Sequence, residues 1–229
     1  MKRFSCTASW IRRGEVALWV IGFSFLGWAV AANLMSRIYQ ARQERAFSLS
    51  VQERGPVTTA EVSPLALATT PELDPLVLGR IEIPRLGVKA IVREGDDDTT
   101  LAVAVGHISG TARPGERGNM ALAGHRDSFF RPLRDIRRRD TIRIVTLKRS
   151  YEYVVDSTEV VGPEDTGVLA PTSKAVLTLV TCYPFEYVGH APKRFVVRAS
   201  LVAPIATAAG GREAPPANGA RGLGERARR

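Results

Sequence analysis

The sequence predicts an all-β domain, closed into a barrel with short helices and preceded by one membrane-spanning helix. Three observations carry this. An uncharged apolar run near the N-terminus is long enough to cross a bilayer. From Leu76 to about Val202, short stretches alternate apolar and polar residues and are separated by turn residues. No long helical periodicity interrupts that region. Many short strands with frequent turns indicate a closed or nearly closed β-barrel.

Residues 1–15 form a short basic N-terminus. Val16 to Ala32 reads VALWVIGFSFLGWAVAA and carries no charge, and Asn33, Leu34 and Met35 extend it to Met35. About 20 such residues cross a hydrocarbon core. Trp10, Trp19 and Trp28 suit membrane interfaces. A cleaved signal peptide is the competing reading, with Ala29-Val30-Ala31 as a loose cleavage site, but the length of the run favours an uncleaved anchor. Lys2, Arg3, Arg12 and Arg13 precede the run, and Arg37, Arg42 and Arg45 follow it. The bias is slight and favours a cytoplasmic N-terminus, which places the rest of the chain outside the cytoplasm.

Residues 36–75 carry Pro56, Pro64, Pro71 and Pro75 and suit an extracytoplasmic linker, with a short helical stalk from Ser36 to Ser48. The folded domain spans residues 76–203. LVLGRIEIPRLGVKAIVREG, residues 76–95, is a strand, a turn and a strand. Thr99 to Ala104 is a short helix capped by Asp96, Asp97 or Asp98. Residues 119–123, 140–147, 151–155, 176–181 and 195–201 are further strands. Residues 204–229 are rich in Ala, Gly, Pro and Arg and predict a disordered basic tail.

The formal charge is +9, with 32 Lys and Arg against 23 Asp and Glu. A solvated basic surface accounts for it, and no nucleic-acid partner is expected. The two cysteines, Cys6 and Cys182, flank the apolar run. If it spans a bilayer they cannot pair, and Cys182 is a free thiol outside the cytoplasm. Most extracytoplasmic proteins avoid that, so Cys182 needs a reason.

Cys182 ends the apolar strand of LTLVTCYPF, residues 177–185. A lone cysteine is usually a buried small hydrophobe. His125 ends the strand of LAGHRDSFF, and Arg194 opens the strand of APKRFVVRA. Each residue has an ordinary structural reading. As a set they have a chemistry. A thiolate attacks a carbonyl, an imidazole moves the proton to a leaving amine, and a guanidinium steadies the oxyanion. All three sit at strand ends of one predicted barrel. A non-enzymatic, membrane-tethered binding module is the alternative of a different class, and it predicts that Cys182 is dispensable.

The stretch from about Leu76 to about Val202 resembles the sortases, and class D sortases most closely, through GHRDSFFRPLRDIRRRDTIRI and LTLVTCYPFEYVGHAPKRFVVRA. The resemblance implies an eight-stranded barrel and a cysteine transpeptidase. It makes Cys182 the nucleophile, His125 the acid/base and Arg194 the positioning or oxyanion residue. The implied partners are a protein with an LPXTG-like sorting signal and an amine acceptor, either a wall precursor or a protein. No cofactor and no metal are implied. A hydrolytic peptidase would use the same residues. Class D relatives usually place Gly-Asp where this chain has Arg139-Asp140, so a turn needing positive φ is in question there.

Thr181, Tyr183 and Phe129 are the candidates for substrate contact. Phe130, Phe185 and Tyr187 also flank these strands. A groove for a Leu-Pro dipeptide and core packing are both open readings for the aromatic residues. His107 and His190 read as structural and solvated, respectively.

Overall fold

The protein is described by a computed structural model that covers residues 5–52, 72–187 and 189–205. The tail beyond 205 and linker residues 53–71 lie outside the described residues.

Helix α1 (Ser5–Gln52) is followed by β1 (Val77–Ile83), β2 (Val88–Glu94), α2 (Asp98–Val103), β3 (Val105–His107) and β4 (Gly118–Ala123). The chain continues through β5 (Thr141–Val145), β6 (Ser150–Val161), β7 (Ala175–Tyr183) and β8 (Lys193–Ile205). The strands close in the order β1-β2-β3-β4-β7-β8-β6-β5. Pairs β2–β3 and β4–β7 are parallel and the rest antiparallel. The expected eight-stranded barrel is therefore observed. Its interior is filled by alternate residues: Ile81 and Ile83, Met120 and Leu122, Ile142 and Ile144, Leu177 and Leu179, Val197 and Ala199. The period of two read in the sequence is this inward face.

The differences from the sequence reading have physical causes. β3 has three residues, too few to show a period. β6 runs on to Val161 because it pairs with β8 as far as Val161↔Arg194. Its second half is exposed and so carries no apolar alternation. Asp97 caps α2, accepting from Thr99 N and Thr100 N. These bonds, led by that from the Thr99 hydroxyl, hold its carboxyl well below the usual carboxylate range.

Helix α1 does not stop at the stalk. It is continuous for 48 residues, on the order of 70 Å. Its apolar first half is exposed and is long and apolar enough to cross a membrane. Its last turns lie on the barrel. The positions that dock recur three or four apart, at Tyr39, Gln40, Gln43, Glu44 and Phe47, the spacing of one helix face. Phe47 is buried against Ile91 and Val145, with the Arg80 guanidinium 5.6 Å from its ring centroid. Gln40 accepts from Ile91 N at 3.0 Å and donates to Val103 O at 2.6 Å, just where β2 begins to pair with β3. Glu44 pairs with Arg80 at 2.6 Å and Lys89 at 2.8 Å. Residues 36–52, read as the start of a tether, are thus a docked helix, because their polar side chains find partners that sequence alone cannot name.

One end of the barrel is closed by the loop from β4 to β5. Phe130, Leu133 and Ile136 on this loop are buried in the core. Its last turn contains Arg139 at φ 71°, the left-handed region that the Arg-for-Gly departure called into question. Asp140 holds that turn. It accepts a two-pronged interaction from Arg85 and a 2.7 Å bond from Arg137 N. The Arg85 interaction keeps the Asp140 carboxyl below the usual range despite its burial.

Two outcomes follow. Arg139→Gly relieves the strained φ and raises the unfolding free energy by about 0.5–1 kcal/mol, read from a urea midpoint. Because the folded pKa of Asp140 is lowered, its stabilisation is present above about pH 4 and is lost as pH falls through the folded value. Denaturant midpoints between pH 6 and 2 therefore fall more steeply in the parent than in Asp140→Asn.

Candidate active site

The site is built by the outward face of three neighbouring strands. In β7, Leu177, Leu179 and Thr181 alternate inward, so Thr178, Val180 and Cys182 point outward. The β7–β8 register pairs Thr178 with Arg198, Val180 with Val196 and Cys182 with Arg194. The parallel β4–β7 register pairs Ala121 with Thr178 and Ala123 with Val180. The bond from Gly124 N to Val180 O, 3.2 Å, continues that ladder. Two residues beyond Ala123, His125 is level with Cys182. The strand ends therefore bring His125, Cys182 and Arg194 into one row along the barrel edge, with the His125 backbone on one side of Cys182 and Arg194 on the other. Directly opposed residues have Cβ atoms about 5 Å apart, within reach of both longer side chains.

Each member of the row is held by its neighbours. Gly124 must be glycine, since a Cβ there would lie 2.7 Å from the Phe130 ring. That ring is itself locked in the core. The Thr181 hydroxyl donates to Gly124 O at 2.7 Å, and Ser128 N and Phe130 N donate to His125 O. These bonds fix the backbone that carries His125. Arg194 Nη1 donates to Ala191 O at 3.2 Å and Lys193 O at 3.1 Å. Among the described residues its Nε and Nη2 have no hydrogen-bond partner, so they can serve a bound carbonyl. Cys182, a free thiol, is half-buried.

The next row is small and apolar: Ala123 and Val180 are half-buried, and Val196 is already buried. Beyond it the face is covered. A 3-10 turn (Thr166–Leu169) lies over it, anchored through Val168 O, which accepts from Asn119 Nδ2 at 2.9 Å and Arg198 Nη2 at 3.1 Å. Asn119 also accepts from the Thr178 hydroxyl at 2.6 Å. Asn119, Thr178 and Arg198 were not singled out in the sequence. The one signal for Asn119 and Thr178 is a polar residue placed where parallel strands usually carry apolar ones.

The three candidates for substrate contact sit in different surroundings. Thr181 is 3% exposed and its hydroxyl is engaged by Gly124 O, so its role is to join β7 to the His125 turn. Tyr183 is stacked on Phe195 and set edge-on to Phe185. Phe129 packs on the core. Tyr183 and Phe129 are both only half-buried. His107 is 2% exposed, with Nδ1 at 3.1 Å from Glu94 Oε1 and Nε2 at 3.0 Å from Ala112 O, while His190 is exposed. Among the described residues no group of three or more His, Cys, Asp or Glu is gathered to hold a metal ion.

The sortase domain family matches residues 81–202, more than half of the chain. The chain belongs to the sortase family. It is 36% identical over 120 residues to Sortase D of Bacillus subtilis (strain 168), a match covering 52% of this chain and 61% of that relative. It is similar in structure to the Sortase D5 transpeptidase of Clostridium perfringens, with a TM-score of 0.56, 26% identity, and coverage of 72% of this chain and 100% of that one. Sortase E1 of Streptomyces coelicolor, solved with a tripeptide in its active site, gives a TM-score of 0.54 at 26% identity, covering 60% of this chain and 94% of that one. The match spans about three fifths of the length of the Bacillus relative. The first two of these agree with the class D likeness read from the sequence.

Thr181→Val removes the hydroxyl and leaves the buried Gly124 carbonyl without that donor. Unfolding free energy should fall by about 1–2 kcal/mol in urea titrations, with Thr181→Ser close to the parent.

Proposed function

We propose that this sortase is a membrane-anchored cysteine transpeptidase. On this reading it cleaves an LPXTG-like sorting signal through a Cys182 thioester and passes the acyl group to an amine. The observation that carries the proposal is the single row of His125, Cys182 and Arg194. In the first half, the Cys182 sulfur attacks the carbonyl carbon of the signal's Thr. Arg194 donates to the oxygen as it gains negative charge. The tetrahedral adduct collapses, the peptide C–N bond breaks, and His125 gives a proton to the departing amine. In the second half an amine attacks the thioester, His125 takes its proton, and Cys182 leaves. Water in place of the amine gives hydrolysis.

The surroundings support these roles. Ala123 and Val180, half-buried beside the thiol, suit the Leu-Pro part of the signal, with the pinned 3-10 turn as the far wall. Cys182 is only half-buried, in keeping with the access a nucleophile requires. The exposed apolar half of α1 fits a single membrane crossing, with residues 1–15 in the cytoplasm and the barrel outside. Residues 76–203 are the catalytic domain in this scheme. A Streptomyces relative that holds a tripeptide in its active site fits a peptide substrate.

The test is incubation of the protein with an LPXTG-like peptide and a panel of amines, followed by mass spectrometry. The expected products are a covalent adduct on Cys182 and an amine-linked peptide. Cys182→Ala, His125→Ala and Arg194→Ala should each lower turnover by about a thousandfold or more. Near-normal turnover by Cys182→Ala would overturn the assignment, and hydrolysed peptide alone with every amine would remove transpeptidation.

A further inference from the structure

The segment from the end of β7 to the first residue of β8, residues 184–193, joins Cys182 to Arg194. It starts two residues after the thiol and ends one residue before the guanidinium. Little of its own backbone holds it: among the described residues it has one internal backbone hydrogen bond, Tyr187 N to Pro184 O at 3.3 Å. Its outer ion pair, Arg134 with Glu186 at 3.0 Å, is exposed and contributes little.

The loop is instead gripped by Arg126, the residue after His125. Its Nη1 donates to Pro184 O at 3.2 Å and its Nη2 donates to Gly189 O at 2.8 Å. Its guanidinium also lies 5.9 Å from the Tyr187 ring centroid. One carbonyl stands at the start of the loop and the other in its middle, and a planar fork of donors spans them. A lysine is a point charge and would satisfy one at a time. Arg126 has no carboxylate partner among the described residues, so its charge is directed to these backbone dipoles and to the aromatic face.

We infer that Arg126 is a positioning residue that clasps the β7–β8 loop and so holds Arg194 in the row with Cys182 and His125. This inference rests on the proposed transpeptidase reading. One side chain then ties the three segments that carry the row: it follows His125, it holds the carbonyl of Pro184 just past Cys182, and it fixes Gly189 on the approach to Arg194. Arg194 is exposed to the consequence, because its own Nη1 bonds go to Ala191 and Lys193 in the same loop. Release of the clasp lets those carbonyls, and the guanidinium with them, move away from the oxyanion position.

The test pairs hydrogen exchange with kinetics on the full chain, with the parent as activity control. In Arg126→Ala, amide exchange across residues 184–193 should rise at least about tenfold, while β4 and β7 keep their protection. Turnover of the sorting peptide should fall roughly 10- to 100-fold, mainly in kcat. Alkylation of Cys182 by iodoacetamide should stay within about twofold of the parent, since a small reagent does not need Arg194. Adding Arg194→Ala should cost Arg126→Ala little more than Arg194→Ala alone, because both remove one function. Arg126→Lys should fall between parent and Ala, and carries the same test if the Ala variant fails to fold. Unchanged exchange in the loop overturns the inference, as does faster exchange with turnover within about twofold of the parent, or full additivity with Arg194→Ala. If the parent itself turns over no peptide, the transpeptidase reading fails, and the exchange result still decides whether Arg126 holds the loop.

Discussion

The parallel pairing of β4 with β7 is the contact on which the site depends. It closes the barrel between two strands that are far apart in the chain, with β5 and β6 made in between. Parallel neighbours need such a crossover, since no hairpin can join them. The pairing puts the C-terminal ends of both strands at the same edge. His125 leaves one end and Cys182 the other, so their neighbourhood is a result of strand direction. An antiparallel pairing of the same two segments would separate them by the length of a strand.

Register matters as much as direction. A slip of one residue would turn Cys182 into the core and Thr181 out. Two features oppose it. Inside, Met120, Leu122, Leu177 and Leu179 bury the correct face. Outside, Asn119 binds Thr178 and the carbonyls of Val168 and Ala170, a buried polar group whose partners are satisfied only in this alignment. The same asparagine fixes the 3-10 turn on this face. Stability, register and the shape of the candidate site are therefore set by overlapping residues.

Helix α1 adds a second constraint, on placement. Its apolar segment ends at Met35, and Tyr39 already bonds the segment leading into β1, its hydroxyl donating to Asp74 at 2.8 Å. One helical turn separates the two, about 6 Å of rise. With a membrane around the apolar half, the barrel stands close to the lipid surface on a stiff support. The docking face mixes Phe47 with paired polar groups, so it is specific and fully used.

Much of this was written in the chain order. Alternation over residues 76–95, 176–181 and 195–201 determined strands and their inward faces, because a period of two survives wherever one face is buried. The uncharged length of Val16 to Met35 determined a candidate membrane span. The segments around His125, Cys182 and Arg194 carried the family likeness, and Arg139 marked the turn where φ is positive. Tertiary structure alone decided which strands are neighbours, that residues 36–52 dock, that Thr181 serves the His125 turn, and that Arg126 reaches across to the loop beyond Cys182. These are contacts between residues tens of positions apart. Local pattern reports which face a residue shows, but the partner on that face is set by closure of the barrel.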